Sequence, residues 1–252
     1  MVQALQRTAV SGPTLVRLLA RLTAADVPAS SQSLSDQLSQ WLGWTDAIAL
    51  STALNSAPPA VASGARGAGS MEHECARVRA SLADAIAGDS VLAPRRRRGS
   101  AHPQNAHNAQ PPEAEANYAD FRQRYLALQQ AMETRIGSLR GRLRNMVAAQ
   151  TSEMTRLAVV DAIMERSLGA RERSLFGAVP GLLSGHFERL RQAAQAEHDA
   201  EVTLPTEAGT QAAPRPGAWL DVFRKDMQSV LLAELDIRFQ PVEGLLAALR
   251  IS

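Results

Sequence analysis

The chain has 252 residues, enough for one large domain or two small ones around a buried core, and its 45 Ala and 30 Leu against 15 Val, 6 Ile and 10 aromatics argue against an all-β fold. Twenty-six Arg and the single Lys225 nearly balance 25 acidic residues, so the net charge of +2 offers no global field for a polyanion. The one cysteine, Cys75, excludes an internal disulfide and fits a reducing compartment.

The amino terminus breaks each apolar stretch with Arg7, Arg17 or Arg21, so it lacks the hydrophobic centre of a signal peptide. No window reaches the ~18 consecutive apolar residues of a membrane span. The longest candidate, from Trp41 to Leu54, carries Asp46 and is too short. These absences predict a soluble, cytoplasmic protein.

The first segment, 1–55, is predicted helical. Leu15, Leu18, Leu19 and Leu22 share one face of a short helix that starts near Pro13. Ser33 and Asp36 have the spacing of a helix start, and Leu34, Leu38, Trp41, Leu42, Ile48 and Leu50 follow as a broad apolar surface that Gly43 weakens. A Pro, Gly, Ala and Ser linker spans 56–70. A short helix with Cys75, Val78, Leu82 and Ile86 on one face lies within 71–92. Residues 93–116, which include Arg95, Arg96, Arg97 and Arg98 among Pro, His and Asn, read as a disordered linker, because no apolar period offsets the entropy of ordering them.

The central segment, 117–200, carries the clearest pattern. After Asn117, a candidate cap, come Phe121, Tyr125, Leu128, Met132, Ile136, Leu139, Leu143 and Met146 at steps of 4, 3, 4, 4, 3, 4 and 3. This predicts a helix of about 30 residues whose seam must be covered. Two faces follow as partners: Leu157, Val160, Met164 and Leu168, ending near Gly169, then Leu175, Val179, Leu183, Phe187 and Leu190, which Pro180 is expected to kink or split. The predicted fold is all-α, a helical bundle around a long coiled-coil-like antiparallel hairpin with disordered linkers. A further linker covers 201–216. In 217–252 the stripe Leu220, Phe223, Met227, Val230, Leu231 and Leu235 is amphipathic, with a bend expected at Pro241. It could dock on the hairpin or serve as a handle for another chain.

No catalytic motif stands above background, and no cofactor or metal is expected. His73, Glu74 and Cys75 are neighbours that point in different directions along a helix, with no second pair at zinc spacing. His186 and His198 stand 12 residues apart, about 18 Å along a helix. Asp161 and Glu165 align, but read as a solvated face; Arg135, Arg140, Arg142 and Arg144 read as a polar exterior. Ser184 lacks a nucleophile elbow, and Gly64, Gly67 and Gly69 mimic a phosphate loop without its strand or Lys. Trp41 and Trp44 are the most distinctive local text, read as core anchors or as a partner-binding hot spot.

The blocks WLGWTDAIALSTAL, YADFRQRYLALQQAME and LLAELDIRFQPVEGLLAALR resemble a bacterial family, domain of unknown function 3348, over nearly the whole chain apart from the linkers. The resemblance carries no catalytic residues across. Its members tend to be encoded near MotA-like and OmpA/MotB-like membrane proteins, which implies an accessory role at a motor-like envelope complex. The expected function is therefore a non-enzymatic scaffold or accessory subunit that binds a protein partner or a second copy through Trp41, Trp44, Leu220, Phe223, Met227, Leu231 and Leu235. The alternative is an Arg-rich nucleic-acid binder that touches phosphates through Arg95 to Arg98 and the helix arginines.

Overall fold

A computed structural model describes residues 13–25, 32–56, 68–93, 116–203 and 217–251. Among these residues the structure is all-α. Seven helices run in order: α1 (Thr14–Thr23), α2 (Leu34–Trp41), α3 (Trp44–Asn55), α4 (Ala68–Ala87), α5 (Tyr118–Ala148), α6 (Ser152–Thr203) and α7 (Ala218–Ile251). The run Arg95 to Arg98, His102, His107 and most of the expected linkers lie outside the described residues.

Local chemistry sets several helix starts. The Ser33 hydroxyl accepts the Asp36 N–H at 3.1 Å, and the Asn117 side chain accepts that of Ala119 at 3.0 Å, each satisfying a first-turn donor that the helix itself cannot. Gly43, expected to weaken one helix, separates two: it caps α3 from an extended conformation. Ala68–Ser70, assigned to a linker from composition, form the first turn of α4.

The seam of α5 folds as its spacing requires. Phe121, Tyr125, Leu128, Met132, Ile136, Leu139 and Leu143 are buried, and Val147 takes the last core place while Met146 packs at the edge. Contacts to α6 ascend one helix as they descend the other: Tyr118 with Pro180, Gln129 with Phe176, Arg140 with Asp161, and Ala148 with Thr155. That is the ordering of an antiparallel hairpin.

Helix α7 lies at the centre, in contact with α1, α4, α5 and α6. Fifteen of its residues are buried, from Leu220 to Leu249. Its polar side chains also finish other helices. Gln228 donates to the carbonyls of Ile86 and Ala87 at 3.3 Å, and Arg224 to that of Val91 at 3.1 Å, supplying partners for carbonyls at and beyond the end of α4. Arg189 of α6 does the same for the Leu22 carbonyl at the end of α1.

Four expectations for α6 are corrected. Helix α6 runs through Gly169, so no cap forms there, and it is not split at Pro180. Proline has no N–H for the carbonyl four residues back, and Phe176 O is instead satisfied by the Gln129 amide at 3.0 Å, a tertiary bond that replaces the missing helical one. Helix α7 also continues through Pro241, which is compatible with the bend expected there. The face assigned to Leu157, Val160, Met164 and Leu168 is not the buried one: Ala158 and Ile163 are buried while Leu157 is exposed. Nor is Leu175 in the core, since its neighbour Phe176 takes the inward position.

One phenol closes the hairpin and a second ties it to α7. Tyr118 donates to Pro180 O, and Tyr125 donates to Glu234 Oε2 at 2.7 Å. Burial pushes the Tyr118 hydroxyl up to about 12, and burial beside the Glu234 carboxylate drives that of Tyr125 far above the ordinary range. A raised pKa means that the folded chain holds the proton to higher pH than the unfolded chain. The stability so contributed is intact below about pH 10 and is lost as pH rises through 12 and beyond. Because the chain has one Lys and one Cys, few other groups titrate there. Thermal melts followed by circular dichroism should show the midpoint falling steeply above pH 10, less so in Tyr118→Phe; a flat profile would contradict the assignment.

Candidate interaction surface

Charged side chains cross the hairpin in pairs. Arg140 grips Asp161 through Nη2 at 2.6 Å, and Arg144 reaches Asp161 through Nε at 2.9 Å as well as Glu165. Burial pulls the Arg144 pKa down, but hydrogen bonds to Glu165 and Asp161 more than offset it and leave it raised. Arg142 pairs with Glu74 of α4 at 2.6 Å. The expectation of a solvated face and polar exterior is thus corrected for Asp161, Arg140 and Arg144, whose side chains are largely shielded from solvent. Neutralised in this way, these arginines present little charge to a phosphate backbone.

Beneath them lies a buried polar cluster. Glu234 is completely buried; it accepts Tyr125 Oη, Gln129 Nε2 at 2.9 Å and Arg238 Nε at 2.8 Å. The Arg238 guanidinium stacks on the Phe176 ring at 4.1 Å and faces Glu172 at 3.6 Å. None of these residues stood out in the sequence as a polar site. The available signal was Glu234 and Arg238, four residues apart, on an otherwise apolar stripe.

Arg238 also lines a groove of about 900 Å³. Its floor is Ile136, Gly137, Ile237 and Pro241 from α5 and α7; Leu15, Val16 and Leu19 of α1 form one wall, and Leu168, Leu175, Val179 and Leu182 of α6 another. Trp41 of α2 completes it, with the Arg171 guanidinium 4.4 Å above the indole. The volume falls in the ~300–1,000 Å³ range of binding clefts, and the lining is mainly apolar with a charged rim.

Beside this groove, α2 and α3 present apolar side chains to solvent. Trp44 is 82 % exposed and Leu34 69 %, with Ile48 and Leu54 half-exposed. On α3 the inward positions, including Ala53, pack on α6, while Trp44, Ala47, Ile48, Ser51 and Leu54 form the outward strip. The only charged residue of the helix, Asp46, sits in its first turn.

The residues singled out from sequence therefore separate. Trp41 and Trp44 reach the groove and the surface. Leu220, Phe223, Met227, Leu231 and Leu235 do not: all five are buried in the chain's own core, which corrects their reading as a handle for another chain. An amphipathic stripe records that a face must be covered, not by what. Phe223 packs edge-on against Phe121 at 5.2 Å and Phe187 at 5.0 Å, and Phe187 against Trp219 at 5.2 Å, joining α5, α6 and α7.

Other candidate groups have structural partners. His186 Nε2 lies 2.9 Å from Asp226, clipping α6 to α7, and the Ser184 hydroxyl bonds the Gly181 carbonyl of its own helix at 2.7 Å. Cys75 is buried, and burial raises its thiol pKa. Among the described residues no three His, Cys, Asp or Glu side chains gather where they could hold a metal ion, and no helix is long and apolar enough to cross a membrane.

The family described as Protein of unknown function (DUF3348) matches residues 1–251. No curated protein and no solved structure matches the chain.

Proposed function

We propose a non-enzymatic role for this chain, which belongs to the family Protein of unknown function (DUF3348): a helical scaffold or accessory subunit that works by burying helix surface against another protein. The observation that carries the reading is α3, a helix apolar on both sides, with one side against α6 and Trp44 on the other 82 % exposed. Apolar side chains on two sides of one helix call for cover on both. On this reading a partner docks at α2, α3 and the groove, and it is sought in the motor-like envelope complex implied by the family resemblance.

A photo-activated phenylalanine analogue at Trp44, introduced into the full chain in its native cell, tests this. A discrete cross-linked protein adduct is expected, absent when the analogue is at Gln195, an exposed position of α6 outside the groove. No adduct from Trp44, Ile48 or Leu175 would overturn the reading.

A further inference from the structure

We infer that the partner of this surface is a second copy of the chain, the outward strip of α3 from each copy seating in the groove of the other. The inference rests on the protein-binding reading above and names its partner.

Both halves of such a contact are present on one molecule. The strip is Trp44, Ile48 and Leu54, with small Ala47 and Ser51 between them. The groove wall repeats Leu168, Leu175 and Leu182 every seven residues along α6, a stripe about 21 Å long. Leu175 is 60 % exposed although it belongs to a heptad seam, the pattern that receives another helix rather than a compact small molecule. On the floor, a Cβ at Gly137 would meet nothing within 4 Å, so an incoming helix can approach closely.

Charge also favours this occupant. Residues 32–56 contain Asp36 and Asp46 and no Lys, Arg or His. Along the groove rim Arg171 stacks on Trp41 and, among the described residues, has no carboxylate at ion-pair distance. An acidic, Trp-bearing helix pair thus complements a rim that offers an unneutralised guanidinium.

Area decides between one contact and two. A single 12-residue helix laid on a neighbour buries less than the ~1,000 Å² total expected of a stable interface. Only two residues separate Trp41, in the groove wall, from Trp44, at the start of the strip, so the two half-sites adjoin on one surface. A two-fold axis between them makes both exchanges at once and doubles the area.

Light scattering of the full chain on a sizing column, across a concentration series, is expected to give twice the 27.0 kDa chain mass. Trp44→Glu and Leu175→Glu, both at exposed positions, should each weaken dimerisation by about thirtyfold or more with unchanged circular dichroism. Mixing the two variants should give no stable dimer, because the mixed pair keeps one exchange and loses the other, and one exchange alone is too small to hold; full association on mixing would overturn the two-fold arrangement. A monomeric wild-type chain overturns the inference, as does a Leu175→Glu variant that stays dimeric, which would mean that the strips pair with each other. The photo-cross-link separates this failure from that of the parent reading: an adduct to a different protein with no dimer leaves protein binding standing and removes only the second copy.

Discussion

Replacing Glu234 by Leu is expected to destabilise the fold by about 3–5 kcal/mol, a large share of the ~5–15 kcal/mol that holds a domain of ordinary stability together. The carboxylate is completely buried and accepts from Tyr125, Gln129 and Arg238 at once. Without it the Arg238 guanidinium, 7 % exposed, keeps only Glu172 at 3.6 Å, and the Tyr125 hydroxyl loses its acceptor. The cost comes from stranding these donors, not from the net worth of the ion pair, which desolvation largely cancels. The paired change Glu234→Leu with Arg238→Met should therefore recover most of the loss. Urea unfolding of the two variants measures the difference, and a single substitution with the wild-type midpoint would show that the cluster is not sealed.

Phe223→Ala is expected to destabilise by about 3–5 kcal/mol, through a cavity where α5, α6 and α7 meet. Phe223 is fully buried among Phe121, Phe187 and Tyr118, whose rings cannot close over the gap without leaving their own contacts. Its neighbour Val222 is 48 % exposed, and Val222→Ala should stay within about 0.5 kcal/mol. The comparison also tests which way the α7 stripe faces. A docking surface would lose binding and keep its melting temperature; a core helix loses the melting temperature first.

Periodicity made much of the fold legible. The steps from Phe121 to Leu143 anticipated α5 within a residue or two and named most of its buried side chains, though not Gln129 or Val147, because a helix repeats every 3.6 residues and one covered face must repeat with it. Ser33 and Asn117 announced helix starts through chemistry that acts within three residues. The split offered at Pro180 failed for the converse reason. Proline removes a local hydrogen bond, and only a residue distant in sequence, such as Gln129, can replace it.

The candidate surface was half legible. Trp41 and Trp44 were conspicuous as two large side chains three residues apart, and both reach it. The groove wall of Leu168, Leu175 and Leu182 was hidden because the same leucines count equally well toward a core face, and nothing local says which side of α6 meets α5.

Helical class, the span of α5 and the need to cover each apolar face were settled by the amino-acid order, since those depend on interactions a few residues long. The assignment of partners was settled in three dimensions. The α7 stripe is satisfied by its own chain while the α3 strip is left open, because covering one face of a long central helix from several sides buries more area than any short outer helix can claim.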